Sequence, residues 1–445
     1  MQKTKFTRRG MLGAGAGLGA TAMLGRSGLA APTSRGRSLG AKFQDEITLN
    51  VFVHANHPFD MVKPIFEAKY PNVKLNMMEQ NDAAIIRAAV AAKGEGMPDI
   101  FWPEIDMVQE LGKAGVLLDT TDIIEPLKDD LAAGKLAETF IPSTQKYAAF
   151  PGDIATVGMF YRQDKLDEAG VTIPDSWTWD DFIEIGKTIK DKTGAASLVI
   201  PTDGTLRSAD LFTFILCQLG GGITNADGTE VTFDNDLGVQ AMTTTQKLYQ
   251  ADISIDEIPF EENYFAEIAA GNVAMTPQAV WYRGFGIEPN AMDEQGGLGQ
   301  WRVSLLPSAG EGSVLTANLG GAAIASTIYT QHPDEVKNFM ITALGTLEGA
   351  EACGQWGILP PFLPYLQSDA WNSVRSEAFG EFNFNEVWTK AVDQYPGTWY
   401  KQPVFGEALT TIGAGIMPIL EGDVDVAEGL KALGDQVREL NTRYQ

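Results

Sequence analysis

The stretch ITLNVFVHANHPFDMVKPIFEAKYPNVKLNM, residues 47–77, carries the pattern that decides the fold. Ile47-Thr-Leu-Asn-Val-Phe-Val53 alternates as a strand does, a helix follows, and Val73-Lys-Leu-Asn-Met77 alternates again. Downstream lie an Ala/Ile-rich helix from Ala83 to Lys93, a stop at Gly94-Glu-Gly96 and a short apolar strand, Asp99-Ile-Phe-Trp102. This βαβαβ order predicts a largely parallel sheet covered by helices. The alternation restarts with Val157-Gly-Met-Phe-Tyr161, a helix from near Thr178 and an apolar strand from Ser197 to Ile200, which predicts a second α/β lobe. Asp227-Gly228, between Ile223 and Val231-Thr-Phe233, reads as a hairpin turn. Val336, Phe339, Met340, Ala343 and Leu344 share one face of a helix over 333–344, with Pro333 in its first turn.

At 445 residues, 44% hydrophobic and 20% charged, the chain is long enough for two domains with their own cores. Its first thirty residues differ from the rest. They carry Lys3, Lys5, Arg8, Arg9 and Arg26, no acid, and an apolar Gly/Ala/Leu/Met run from Gly10 to Gly25. Residues 1–30 therefore read as an export signal that is removed, with 31–43 as linker. The run falls short of the ~20 residues that span a bilayer, so the mature chain is not expected to span a membrane. Thr7-Arg8-Arg9-Gly10-Met11-Leu12 resembles the twin-arginine export signal. Gly15-x-Gly17-x-x-Ala20 imitates a dinucleotide loop, but neither a strand before it nor a βαβ unit around it supports that reading.

Without the signal the formal charge moves from −25 to −30, 28 basic residues against 58 acidic. That excludes a nucleic-acid footprint and suits a solvated exported surface; a cationic ligand is the lesser alternative. Cys217 and Cys353 match no zinc spacing, neither is a lipid-anchoring cysteine, and both are expected as buried thiols. No metal or other cofactor is expected.

A set of short motifs now gains meaning from its order. Met97-Pro-Asp-Ile-Phe-Trp102 precedes Gly115-Val-Leu-Leu-Asp119, and Phe150-Pro-Gly-Asp153 leads into Phe160-Tyr-Arg162 and Ala169-Gly170. Next come Pro174-Asp-Ser-Trp177-Thr-Trp-Asp-Asp-Phe182, Phe265-Ala-Glu-Ile-Ala-Ala-Gly271 with Val273-Ala-Met275, Gln331-His-Pro-Asp-Glu335 and Leu420-Glu-Gly-Asp423. From about residue 44 to the C-terminus the chain resembles the extracellular solute-binding proteins of ABC importers, in the carbohydrate-binding branch that includes the maltose-type proteins. The resemblance implies a two-lobed periplasmic-binding-protein fold of the α/β class, each lobe a largely parallel sheet flanked by helices, with the ligand cleft between lobes. Crossings near 153–157 and 312–318 would divide the chain into lobe 1, residues 44–153 and 315–365, and lobe 2, residues 154–314 and 366–445. It further implies a monomeric periplasmic receptor, not an enzyme, whose partners are a carbohydrate and ABC permease subunits.

A pyranose has an apolar face and a rim of hydroxyls, so its site needs a flat aromatic and polar side chains. Trp281, expected just beyond a strand at Val273-Ala-Met275, is favoured as the stacking platform over core filler; Tyr282 is divided equally between the two. Trp102, Glu104 and Asp106 follow a strand end, where the family places an aromatic and an acid; core packing and helix support are their alternatives. Asp153 fits a hydroxyl acceptor where the chain begins to cross, and the alternative is a hinge turn. His54 and Asn56 are donors or acceptors beyond the first strand. Asn318-Leu-Gly320-Gly321 permits close backbone approach. Relatives often have Trp after such a glycine pair, and Ala322 stands there instead; Trp356 and Trp399 are candidate replacements, with ordinary packing as the alternative. Two rival functions remain: an exported carbohydrate-active enzyme, and a receptor for a polyamine or other non-sugar solute.

Overall fold

Strand β1 (Ile47–Val53) lies parallel to β2 (Val73–Glu79), with Ile47 opposite Val73 and Val53 opposite Glu79. Helix α1 (Phe59–Lys69) connects them and buries Phe59, Val62 and Phe66 against Leu49 and Val51. The computed structural model describes residues 46–54, 57–395, 397 and 399–445. The proposed signal 1–30, the linker 31–43 and candidate Asn56 lie outside these described residues.

Helix α2 (Ala83–Ala91) starts where the Asp82 carboxylate accepts the amide protons of Ala84 and Ile85, at 2.6 and 3.3 Å. It ends two residues before Lys93, because Lys93 and Gly94 take φ of 56° and 95°, outside helical geometry. Ile100 then bridges Val51 in parallel, while Phe101 bridges Ala325 in antiparallel. The strand Ala323–Ile324 in turn pairs antiparallel with Phe150–Pro151. Gly152 is needed beside this pairing, since a Cβ there would stand 2.2 Å from the Ala322 carbonyl oxygen.

The second sheet repeats the arrangement. Leu198–Val199 pairs parallel with Ser254–Ile255, and Ala196 bridges Val273 in parallel. The strand Met275–Ala279 pairs antiparallel with Val157–Arg162, which pairs antiparallel with Trp301–Ser304. Each sheet is thus mainly parallel with one strand running the other way, 323–325 in the first and 157–162 in the second. Both reversed strands follow directly on a pair of segments held side by side. Val157 N–H donates to Ala317 O at 3.0 Å, Leu319 N–H to Ala155 O at 3.1 Å, and Thr156 bridges Asn318 in antiparallel.

The helix expected over 333–344 forms as Pro333–Leu344 and buries the five residues of its apolar face. The helix expected near Thr178 forms as Trp179–Thr193, with Thr178 and Asp181 exchanging side-chain and backbone hydrogen bonds at its start. At the expected hairpin, Thr224 bridges Val231 and Gly228 takes φ of 78°. Cys217 and Cys353 are buried and free, packed in separate apolar clusters, and burial pushes both thiols up. Among the described residues no helix is long and apolar enough to cross a membrane.

Candidate functional site

The strand Met275–Ala279 is buried along its whole length, and the Val280 N–H, donating to Thr156 O at 2.9 Å, is its last tie to the neighbouring segment. Trp281 comes next, just past the strand end. Its ring is half-buried against both major apolar clusters, at the seam between them. The indole N–H donates to Leu319 O at 3.0 Å, and the ring meets Phe260 at 5.5 Å and Phe285 at 6.0 Å. Phe260, also half-buried, holds φ of 77°, a costly conformation for an aromatic residue.

Beyond Trp281 the backbone makes a single π-turn, Arg283–Ile287, a geometry that recurs at functional sites. Two glycines permit it: a Cβ on Gly284 would meet Trp356 O at 2.0 Å, and one on Gly286 would meet the Tyr282 ring at 1.9 Å. Arg283 is buried in the turn, paired with Glu288 at 2.6 Å and donating to the carbonyls of Gly354 and Gln355.

Facing Trp281 is the Gly320–Gly321 turn, with φ of 77° and 100°. A Cβ on Gly320 would stand 3.5 Å from the indole nitrogen and 4.0 Å from Oε1 of Glu104. Behind the turn lies a buried charged network. Lys401 donates to Gly320 O, and Lys135 donates to Gly321 O at 3.3 Å and pairs with Glu138. Tyr395 O–H donates to Glu138 at 2.9 Å and accepts from the Asn318 amide at 2.7 Å. Asp153 Oδ1 accepts the Ala322 N–H at 2.9 Å. Oδ1 of Asn318 and the indole nitrogen of Trp399 are buried with no hydrogen-bond partner among the described residues.

Burial dominates the titration of Asp153, Lys401 and Asp106. It pushes Asp153 from the ordinary 3.8 up to about 6, with Lys135 pulling the other way. Burial also lowers Lys401, opposed mainly by Glu138, and raises Asp106, reinforced by Glu104. The folded chain therefore keeps the Asp153 proton after the unfolded chain has lost it, so this group's contribution to stability falls as pH rises from about 4 to about 6. Asp153→Asn should cancel that loss, worth up to about 3 kcal/mol above pH 6. Urea midpoints of both proteins at pH 4.5 and pH 7 check it; an equal pH dependence in the two would contradict the buried carboxyl.

A cleft of about 550 Å³ opens next to Glu104 and Asp106. One wall comes from the ends of β1 and β2 and the start of α2, with His54, Asn81 and Arg87; the other comes from helices Phe405–Gly415 and Val426–Asn441 and the last residues of the chain. Polar contacts join the walls at one end: Asp106 Oδ2 accepts the Gly406 N–H at 3.3 Å, and Lys113 donates to Gln402 at 2.9 Å. Among the described residues no group of three or more His, Cys, Asp or Glu side chains could hold a metal ion.

The structure gathers Trp281, Glu104, Gly320 and Gly321 at one place, and sets the Asp153 carboxylate, 4% exposed, in the network behind them. His54 stands at the cleft, its Nε2 3.0 Å from the Asn81 amide. Three aromatics are placed otherwise. Tyr282 is no platform: it is fully buried, hydroxyl to hydroxyl with Tyr264 at 2.7 Å. Trp102, 9% exposed, packs edge-on against Phe59 at 4.7 Å in the core, and Trp399 is buried against Phe405 at 5.7 Å. Trp356 is half-buried, its carbonyl against Gly284. Sequence reasoning missed Lys135, Glu138, Tyr395 and Lys401.

The family profile of bacterial extracellular solute-binding proteins matches residues 62–375. An arabinooligosaccharide-binding protein of Halalkalibacterium halodurans is 28% identical over 260 residues, 56% of this chain; the chain spans only 55% of that relative's length. An arabinooligosaccharide-binding protein of Bacillus subtilis is 28% identical over 356 residues, 76% of this chain and 77% of that one. Among solved structures, an ABC-transporter-associated binding protein from B. animalis subsp. lactis Bl-04, in complex with β-1,6-galactobiose, superposes with a TM-score of 0.76. It is 22% identical, and the match covers 90% of this chain and 98% of that one, so it speaks to the two-lobed fold alone.

Proposed function

Because the chain belongs to the bacterial extracellular solute-binding proteins, we propose that it is a receptor that captures a carbohydrate outside the cytoplasmic membrane and hands it to an ABC import permease. The observation that carries this reading is Trp281, a half-buried indole at the end of a buried strand, set beside a Gly–Gly turn and the Glu104 carboxylate. An indole face suits the C–H face of a sugar, and carboxylate and backbone carbonyls suit its hydroxyls. The sugar-binding relatives support the same assignment.

The reading includes export by the twin-arginine route and action as a monomer without chemical turnover. It also includes the division at 153–157 and 312–318 into residues 44–153 with 315–365, and 154–314 with 366–445. A strand entering a sheet from the opposite lobe runs against its neighbours, and the two reversed strands fit that origin. A polyamine fits less well, since Lys135 and Lys401 already supply buried cations next to the inner site.

A thermal-shift panel of sugars, polyols and polyamines on the mature chain tests the proposal. Saturation at 100 times Kd adds about 2.7 kcal/mol to stability, enough to move the transition by several degrees. The expected result is stabilisation by a sugar recovered chemically unchanged. Stabilisation by a polyamine alone, or consumption of the sugar, would defeat it.

A further inference from the structure

Trp281 is fastened at few points. Its indole N–H reaches Leu319 O at 3.0 Å, and the rings of Phe260 and Phe285 meet its own. A platform free to swivel must be ordered by each solute it takes up, and that ordering costs affinity. What holds the indole therefore matters to binding.

Phe260 supplies one of these holds from a strained backbone. It lies between the strand Ser254–Ile255 and the helix Glu262–Ala269, at φ of 77°, where a glycine would sit without strain. A phenylalanine in that place points to the contacts of its ring, since such strain persists only where the surroundings over-determine it and gathers at ligand clamps. The ring is the hub of an aromatic group: Trp281 stands 5.5 Å from it, Phe285 5.9 Å, Tyr264 6.0 Å and Tyr282 6.1 Å. Tyr264 and Tyr282 are fully buried and joined hydroxyl to hydroxyl at 2.7 Å, which makes them a fixed floor. The Arg207 guanidinium lies 4.8 Å from the centre of the Phe260 ring and pairs with Asp210 at 3.4 Å.

These residues come from three neighbouring loops. Leu198–Val199 runs parallel to Ser254–Ile255, Ala196 bridges Val273 in parallel, and Val273 leads into Met275–Ala279. Arg207, Phe260 and Trp281 follow the carboxyl ends of these three strands in turn, the edge at which α/β sheets gather their ligand-contacting loops.

We infer that Phe260 is a positioning residue: it sets the plane of the Trp281 indole for solute, and Arg207 steadies Phe260 from the next loop. The inference rests on the sugar-receptor reading and adds to it the residues that orient the stacking face. Neither residue needs to touch the sugar.

Glycine suits φ of 77°, so Phe260→Gly deletes the ring and keeps the turn, whereas Phe260→Tyr keeps the ring. The emission of each protein minus that of its Trp281→Ala counterpart isolates this indole among the nine tryptophans. Phe260→Gly should shift the difference emission to longer wavelength and make it more quenchable by acrylamide; Phe260→Tyr should match the parent, and Arg207→Met should fall between. Titration calorimetry with arabinotriose, lactose and β-1,6-galactobiose gives the second arm. For whichever of these binds, Phe260→Gly should weaken affinity about fivefold beside Trp281 but less than about twofold beside Trp281→Ala, because a residue acting through the indole loses its effect with it. An unchanged indole signal in Phe260→Gly overturns the positioning role, and so does an equal affinity loss in both backgrounds, which would make Phe260 a direct contact. If neither these nor any sugar of the thermal-shift panel binds, the receptor reading fails, while the indole signal still decides what Phe260 does.

Discussion

Trp281→Ala should weaken binding of the best sugar at least tenfold and leave the far-ultraviolet circular dichroism unchanged. Tenfold is about 1.4 kcal/mol, well within what the loss of one stacking face removes. The fold tolerates the change because the ring is only half-buried and follows the strand rather than belonging to it. Its one hydrogen bond, to Leu319 O, leaves behind a carbonyl rather than a buried charge. Tyr282→Ala makes the contrast. That ring is fully enclosed, so its removal should cost stability, about 3–5 kcal/mol, through the cavity it leaves. Titration calorimetry and urea denaturation on the two variants separate a ligand contact from a core residue. Equal affinity in Trp281→Ala and the parent would take the indole out of the site.

Lys401→Met should lower stability by about 3–5 kcal/mol, because the ammonium is buried beside carboxylates that need it. Burial disfavours the ammonium and Lys135 repels it, whereas Glu138, Glu104 and Asp153 attract it and its Nζ donates to Gly320 O. Methionine keeps most of the volume and removes the charge. Lys135 alone then faces the Glu138 and Asp153 carboxylates, and the Gly320 carbonyl loses its donor. Urea midpoints at pH 7 measure the loss. A change below about 1 kcal/mol would mean that water, not the network, solvates this ammonium.

The elements that could be read from the chain are those whose signal is local. Alternation marks residues 47–53 and 73–77, and the i, i+3, i+4 spacing with Pro333 marks the helix over 333–344, because in each the apolar positions recur with the period of the element itself. The place of Trp281 just past a strand was legible for a related reason: the apolar run before it had to end in a turn. Tyr282 was not. Successive residues at a strand exit point different ways, and which of them turns inward is decided by Tyr264 and Phe160, contributed by other parts of the chain. Trp102 shows the same limit, since its burial depends on Phe59 in α1. The Lys135, Glu138, Tyr395 and Lys401 network could not be seen at all. Its members come from two distant stretches, 135–138 and 395–401, and an isolated Lys or Glu reads as a solvated surface residue until the fold encloses it.

The hydrogen bond from the Gly406 amide to the Asp106 carboxylate bears on the proposed receptor if its two walls part to admit solute. It is made between the two walls without any help from cargo, so it favours the shut form by the same amount whether the receptor is empty or loaded. A standing bias of that kind raises the resting share of shut molecules but cannot separate full from empty ones. Only atoms that touch the solute can do that. In the proposed receptor the permease's ability to ignore empty carriers is therefore bounded by the summed strength of such contacts, and the Lys113–Gln402 hydrogen bond at 2.9 Å is another of them.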